Sequence, residues 1–99
     1  MPMKIEVEFS PVFQSRLSLE RQILNIEGQS TLNDLFDRLA EVHQGKIKPL
    51  LFTPKGDEIL SGLMVMINNH IFTGSALNQR EIRLREGDKV SLLYFMSGG

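Results

Sequence analysis

Residues 4 to 9, Lys-Ile-Glu-Val-Glu-Phe, alternate strictly, with Ile5, Val7 and Phe9 on one side and Lys4, Glu6 and Glu8 on the other. A period of two predicts a half-buried strand. Ser10-Pro11 ends it, because proline has no N–H to give to a ladder. A polar connection leads to a second strand over Arg21 to Ile26, in which Ile23 is out of phase with Leu24 and Ile26 and allows a bulge or a shifted register. Glu27-Gly28-Gln29 breaks that strand.

The period then changes. Leu32, Leu35, Phe36, Leu39 and Ala40 fall at i, i+3, i+4, i+7 and i+8 behind Ser30-Thr31, whose side chains suit a helix N-terminus, and Gly45 is placed to stop the helix. Asp34, Asp37, Arg38 and Glu41 line the opposite face. Such a stripe must pack on something, and a short sheet is the other substantial element available. Between residues 46 and 62 the pattern is weak: Pro49-Leu50-Leu51-Phe52 suits one helical turn, and Pro54-Lys55-Gly56-Asp57 has turn composition. Leu63 to Ile67 reads as a third strand, and Asn68-Asn69, which tolerate positive φ, close a hairpin into His70-Ile71-Phe72. A polar link through Ala76-Leu77-Asn78 leads to a short extended segment, Ile82-Arg83-Leu84. The turn Glu86-Gly87-Asp88 then starts the final strand, with Val90, Leu92 and Tyr94 on one face and Leu93 and Phe95 on the other. This element order predicts an α+β fold of the β-grasp (ubiquitin-like) kind, a mixed sheet of four or five strands over one main helix. The first and last strands would then be parallel central neighbours. The boundaries are a domain over residues 1–96 and a flexible Ser-Gly-Gly tail over residues 97–99.

Composition narrows the chemistry. Ninety-nine residues allow one modest core, and 41% apolar with 23% charged residues is ordinary for a globular domain. A net charge of −1 argues against nucleic acid as a partner. The absence of cysteine removes disulfides, thiolate metal sites and thiol nucleophiles. No apolar run reaches a membrane span and Met1-Pro2-Met3-Lys4 does not read as a signal peptide, so a cytoplasmic location is expected. His43 and His70 lack acidic or thiol company at ligand spacing, so no metal site is expected. There is no GxxxxGK[ST] or GxGxxG phosphate loop and no nucleophile elbow.

What remains is the end of the chain. Gly98-Gly99 adds nothing to a core and loses much freedom when ordered, yet it offers a thin backbone with a free α-carboxylate, able to enter a slot too narrow for a side chain. A second candidate surface lies on the sheet. If Val65, Ile67, Val90 and Leu92 face the helix, then Met64, Met66, Leu93 and Phe95 share the other face, apolar where solvent is expected. Met96 follows them, and Arg83 and Arg85 are candidates to pair with acidic groups of a partner. The plain reading keeps that face under the 46–62 segment and the arginines merely solvated.

Val65-Met66-Ile67-Asn68, Glu86-Gly87-Asp88-Lys89-Val90 and the terminal Gly98-Gly99 together resemble the MoaD/ThiS ubiquitin-like sulfur carriers, of the molybdopterin synthase small-subunit type. The resemblance implies that the carboxylate of Gly99 is adenylated with ATP and Mg²⁺ bound by a ubiquitin-activating-type adenylyltransferase. A sulfide equivalent then displaces AMP to leave a thiocarboxylate, and Gly98 keeps the tail narrow. The sulfur would pass to an accepting enzyme such as the molybdopterin synthase large subunit. On this reading the chain binds no cofactor and is a protein cosubstrate, not an enzyme. Delivery to thiamin, cysteine or tRNA thiolation stays open within the same family, as does conjugation as a ubiquitin-like modifier. A β-grasp interaction module with an inert tail is the alternative of another class.

Overall fold

The computed structural model describes residues 1–55, 58–60, 62–73, 77 and 82–94. The expectations placed on Phe95, Met96 and the Ser97-Gly98-Gly99 tail therefore lie outside the described residues. Eight elements follow in the order β1 (Pro2–Phe9), α1 (Pro11–Leu17), β2 (Arg21–Glu27), α2 (Leu32–Val42), α3 (Lys48–Leu51), β3 (Leu63–Ile67), β4 (His70–Thr73) and β5 (Lys89–Tyr94). The strands form one mixed sheet of order β2-β1-β5-β3-β4. β1 and β5 lie parallel at its centre, as the β-grasp expectation requires, with Val7 opposite Val90 and Phe9 opposite Leu92. The other pairings are antiparallel.

α2 carries the predicted stripe inward: Leu32, Leu35, Phe36, Leu39 and Ala40 are all buried. Its N-terminus is closed reciprocally, because the Asp34 N–H donates to the Thr31 hydroxyl at 3.3 Å while the Thr31 N–H donates to the Asp34 carboxylate at 2.9 Å. The stripe meets Ile5, Val7, Leu24, Val65, Val90 and Leu92 from the sheet, all buried. Gly45, at φ +81°, donates its N–H to the Ala40 carbonyl and turns the chain out of the helix.

Three expectations need correction. The connection after β1 is not merely polar; it contains α1, whose Phe13 is fully buried. Pro11 sets the first helical φ, and Ser18, in the left-handed region, returns its N–H to the Gln14 carbonyl at 2.8 Å. Seven residues offer only Phe13 and Leu17 at helical spacing, too few to register as a period. Second, β2 has no bulge: its register with β1 runs unbroken from Pro2↔Glu27 to Glu8↔Arg21, and Ile23 simply faces solvent. Third, Leu77, placed in a polar link, belongs to the core. The 46–62 segment forms α3 where a helical turn was expected. α3 and its flanks pack on the helical side of the sheet, with Ile47 and Leu51 buried and Phe52 edge-on to Phe36 at 6.0 Å.

Candidate functional site

The structure makes the entry to β5 a joint where the separated sequence motifs meet. Asn68, at φ +55°, donates from Nδ2 to the Asp88 carboxylate at 3.0 Å and accepts the Lys89 N–H on Oδ1 at 3.1 Å. Asp88 in turn accepts the Arg85 N–H at 2.8 Å, and Gly87, at φ +84°, donates its N–H to the Lys4 carbonyl at 2.9 Å. The Lys4 N–H donates to the Glu86 carboxylate at 3.1 Å. An Asn turn and a Gly-Asp turn about twenty residues apart thus lock each other, and together they set where β5 begins.

The far end of β5 is held as firmly. Tyr94 stacks on Phe13 with ring centroids 5.2 Å apart and planes within 8°, and its hydroxyl donates to the Leu50 carbonyl. Burial raises the Tyr94 phenol above its ordinary value, with the Arg16 guanidinium opposing in part. Tyr94, the last residue of β5, therefore ties the strand to α1 and α3, the two short helices. The chain's final five residues follow directly from that anchor.

The open sheet face divides in two. Over β1, β2 and the first residue of β5 it is ionic: Lys89 Nζ lies 2.7 Å from the Glu8 carboxylate and Arg21 lies 4.0 Å from Glu6. The hydrogen bond that the Lys89 ammonium donates to the Glu8 carboxylate, aided by the carboxylate's charge, holds the Lys89 pKa above its ordinary value. Over β3, β4 and the rest of β5 it is mainly apolar, with Ser91 and Thr73 beside the methionines. Met64 is directly opposite Leu93, and Met66 is opposite Ile71 on one side and Ser91 on the other. The register thus brings together the expected Met64, Met66 and Leu93, each partly exposed, beside the exposed Ile71. Ile71 was missed as a surface residue. The hairpin phase Ile67↔His70 would have revealed it, since direct cross-strand partners share a face.

The arginines are not part of this patch. Arg83 forms an isolated bridge with Thr31 at the start of α2, and Arg85 sits in the turn at the opposite end of β5 from Leu93. The reason is topological: the segment before β5 crosses the α2 N-terminus, where the Leu84 N–H donates to the Ser30 carbonyl and the Leu32 N–H to the Ile82 carbonyl.

Among the described residues no group of three His, Asp or Glu side chains is arranged to hold a metal ion. His43 lies 2.8 Å from the Gln22 amide oxygen and edge-on to Phe9, packed as a structural side chain. No described helix is long and apolar enough to cross a membrane.

The family model described as ThiS family matches residues 13–99. None of the curated proteins matches the sequence significantly. Among solved structures, SAMP1 from Haloferax volcanii superposes with a TM-score of 0.80 at 19% identity, covering 97% of this chain and 99% of that one. A protein assigned as molybdopterin converting factor, subunit 1, from Pyrococcus furiosus gives 0.71 at 15%, covering 95% and 99%. The Amycolatopsis orientalis BexX/CysO complex contains a chain that gives 0.69 at 18%, covering 96% and 99%. At these identities the structural likeness establishes the β-grasp fold.

Proposed function

This chain belongs to the ThiS family of ubiquitin-like sulfur carriers, and from that premise we propose that the α-carboxylate of Gly99 is its reacting group. The observation that carries the proposal is the placement of β5: it runs through the middle of the sheet, is fastened at both ends, and leads straight into the five residues that finish on Gly98-Gly99. Those five residues span at most about 18 Å when extended, enough to reach into a partner's active site while the body stays outside.

The chemistry follows from the poor electrophilicity of a carboxylate. A carboxylate oxygen of Gly99 attacks the α-phosphorus of ATP bound with Mg²⁺ to an adenylating enzyme, and pyrophosphate leaves. Hydrosulfide then attacks the acyl-adenylate carbonyl and AMP leaves with the C–O bonding pair, giving a thiocarboxylate. The partner supplies positioning and charge stabilisation, so this chain acts as a cosubstrate. We assign the docking of the body to the apolar half of the open sheet face, around Met64, Met66, Leu93 and Ile71. The thioether side chains there adapt to more than one partner, as a carrier that is loaded and then unloaded requires. A neighbour of the same fold, CysO, occurs in a complex with BexX, which supports work through partner enzymes. The reading takes molybdopterin synthesis as the destination of the sulfur, in line with the likeness to the Pyrococcus protein.

The test is mass spectrometry of the chain isolated from its host, alongside AMP formation with the host's adenylating enzyme. Replacement of one terminal oxygen by sulfur is expected. Gly99→Val should abolish AMP formation without altering thermal unfolding. Wild-type AMP formation by that variant would overturn the role of Gly99, and an isopeptide-linked ladder would identify a protein modifier instead.

A further inference from the structure

The margin of the sheet at β2 carries an inference independent of the sulfur chemistry. Its hydrogen-bond phase is set by two contacts at its ends: the Phe9 N–H donates to the Glu20 carbonyl at 2.9 Å, and the Gly28 N–H to the Met1 carbonyl at 2.8 Å. In an antiparallel pair, bonded positions alternate, so with this register Gln22, Leu24 and Ile26 exchange hydrogen bonds with β1. Arg21, Ile23 and Asn25 must then direct their N–H and C=O groups away from the sheet. Among the described residues no strand pairs on that side.

An open margin of this kind is normally blunted by shortness, a bulge, a lysine or a proline. β2 is seven residues long, unbroken in register and free of lysine and proline, and its two charges, Arg21 and Glu27, stand at its ends and leave the middle unguarded. At its centre Ile23 is 63% exposed, an apolar side chain on the open face. The opposite margin, β4, shows four residues among those described.

Beside β2 lies a groove of about 560 Å³ between the strand and α2. Glu27 stands on its strand wall and Asp34, Asp37 and Glu41 on its helix wall, while Arg38, the one cation among the described residues that line it, already faces Glu41 at 3.8 Å. The groove therefore favours positive charge. A second copy of this chain would bring the same carboxylates against these, so charge disfavours self-pairing.

We propose that the free margin of β2 is a docking ledge for an extended segment of a partner protein, which joins the sheet as a sixth strand. Residues at alternate positions of that segment are basic and face α2; the residues between them are apolar and cover Ile23. Main-chain pairing supplies the binding, and the alternation supplies the selectivity. This surface is separate from the apolar patch around Met66, so a partner held here leaves that patch free.

The test uses the full chain, isotopically labelled, titrated with a seven-residue peptide of alternating lysine and valine and with a matched glutamate-valine peptide. The lysine peptide is expected to shift the amides of Arg21 to Glu27 and to slow hydrogen exchange at Arg21, Ile23 and Asn25. The double charge reversal Asp37→Lys, Glu41→Lys, both at exposed positions, should weaken it about tenfold or more, the scale of 1.4 kcal/mol. Asn25→Pro removes one outward N–H but no bond to β1; it should weaken the peptide while the remaining amide spectrum shows the sheet intact. The proposal is overturned by shifts centred on Met64, Met66 and Leu93, by equal binding of the glutamate peptide, by no shift at millimolar peptide, or by sedimentation showing that β2 pairs with a second copy.

Discussion

Tyr94→Phe removes one oxygen atom and tests whether the end of β5 is anchored as described. The hydroxyl donates to the Leu50 carbonyl, while the ring lies flat on fully buried Phe13. Loss of a single half-buried hydrogen bond costs about 1 kcal/mol, equivalent to a fall of about 4–8 °C in Tm for a domain of this size. Tyr94→Ala also removes the stack and opens Phe13 to water. Truncation of a fully buried aromatic costs about 3–5 kcal/mol, and a half-buried ring should cost roughly half of that, about 2 kcal/mol. Thermal unfolding followed by circular dichroism separates the two. Titration gives a second readout, because Tyr94 is the chain's single tyrosine and there is no tryptophan. Burial raises its folded value, so above about pH 10 the unfolded chain releases the phenol proton first and stability falls as pH rises; Tyr94→Phe should remove this share of the alkaline slope and leave the share due to Lys89. If Tyr94→Phe melts with the wild type, or the tyrosinate absorbance rises at the ordinary pH, the anchor is not there.

Three further outcomes are expected. Thr31→Ala deletes the hydroxyl that accepts the Asp34 N–H and should cost about 1 kcal/mol in denaturant unfolding, with Thr31→Ser recovering most of it. Asn68→Ala forfeits both side-chain bonds to the β5 entry at a left-handed position and should cost about 2 kcal/mol. Asn68→Gly keeps the backbone comfortable and should cost visibly less. His43 is held below its ordinary value by burial, then by the nearby Lys46 charge. The unfolded chain therefore takes up the proton first as pH falls below about 6.5, so this contribution is present above that pH and is lost below it; His43→Gln should flatten the acid side of the stability profile, as chemical denaturation across pH will reveal.

Local pattern was enough where one element states its own face. The alternation Ile5-Val7-Phe9 and the stripe from Leu32 to Ala40 each report which side must be dry, because burial on a strand or helix follows the backbone period. The Asn68 and Gly87 turns were legible for a similar reason, since few residues accept positive φ. Gly98-Gly99 stood out because no packing argument requires it. Other features exist only between distant parts of the chain. Phe13 and Leu17 are too few to make a period; Tyr94 stacked on Phe13 and bonded to Leu50 fixes α1 as packed structure. Ile71 became a surface residue only through its pairing with Met66, and Arg83 left the sheet because its segment crosses the start of α2. The solvent-facing margin of β2 is likewise a property of strand order, which depends on which strand lies next to which. A strand's own sequence encodes its inner face, but not its neighbours.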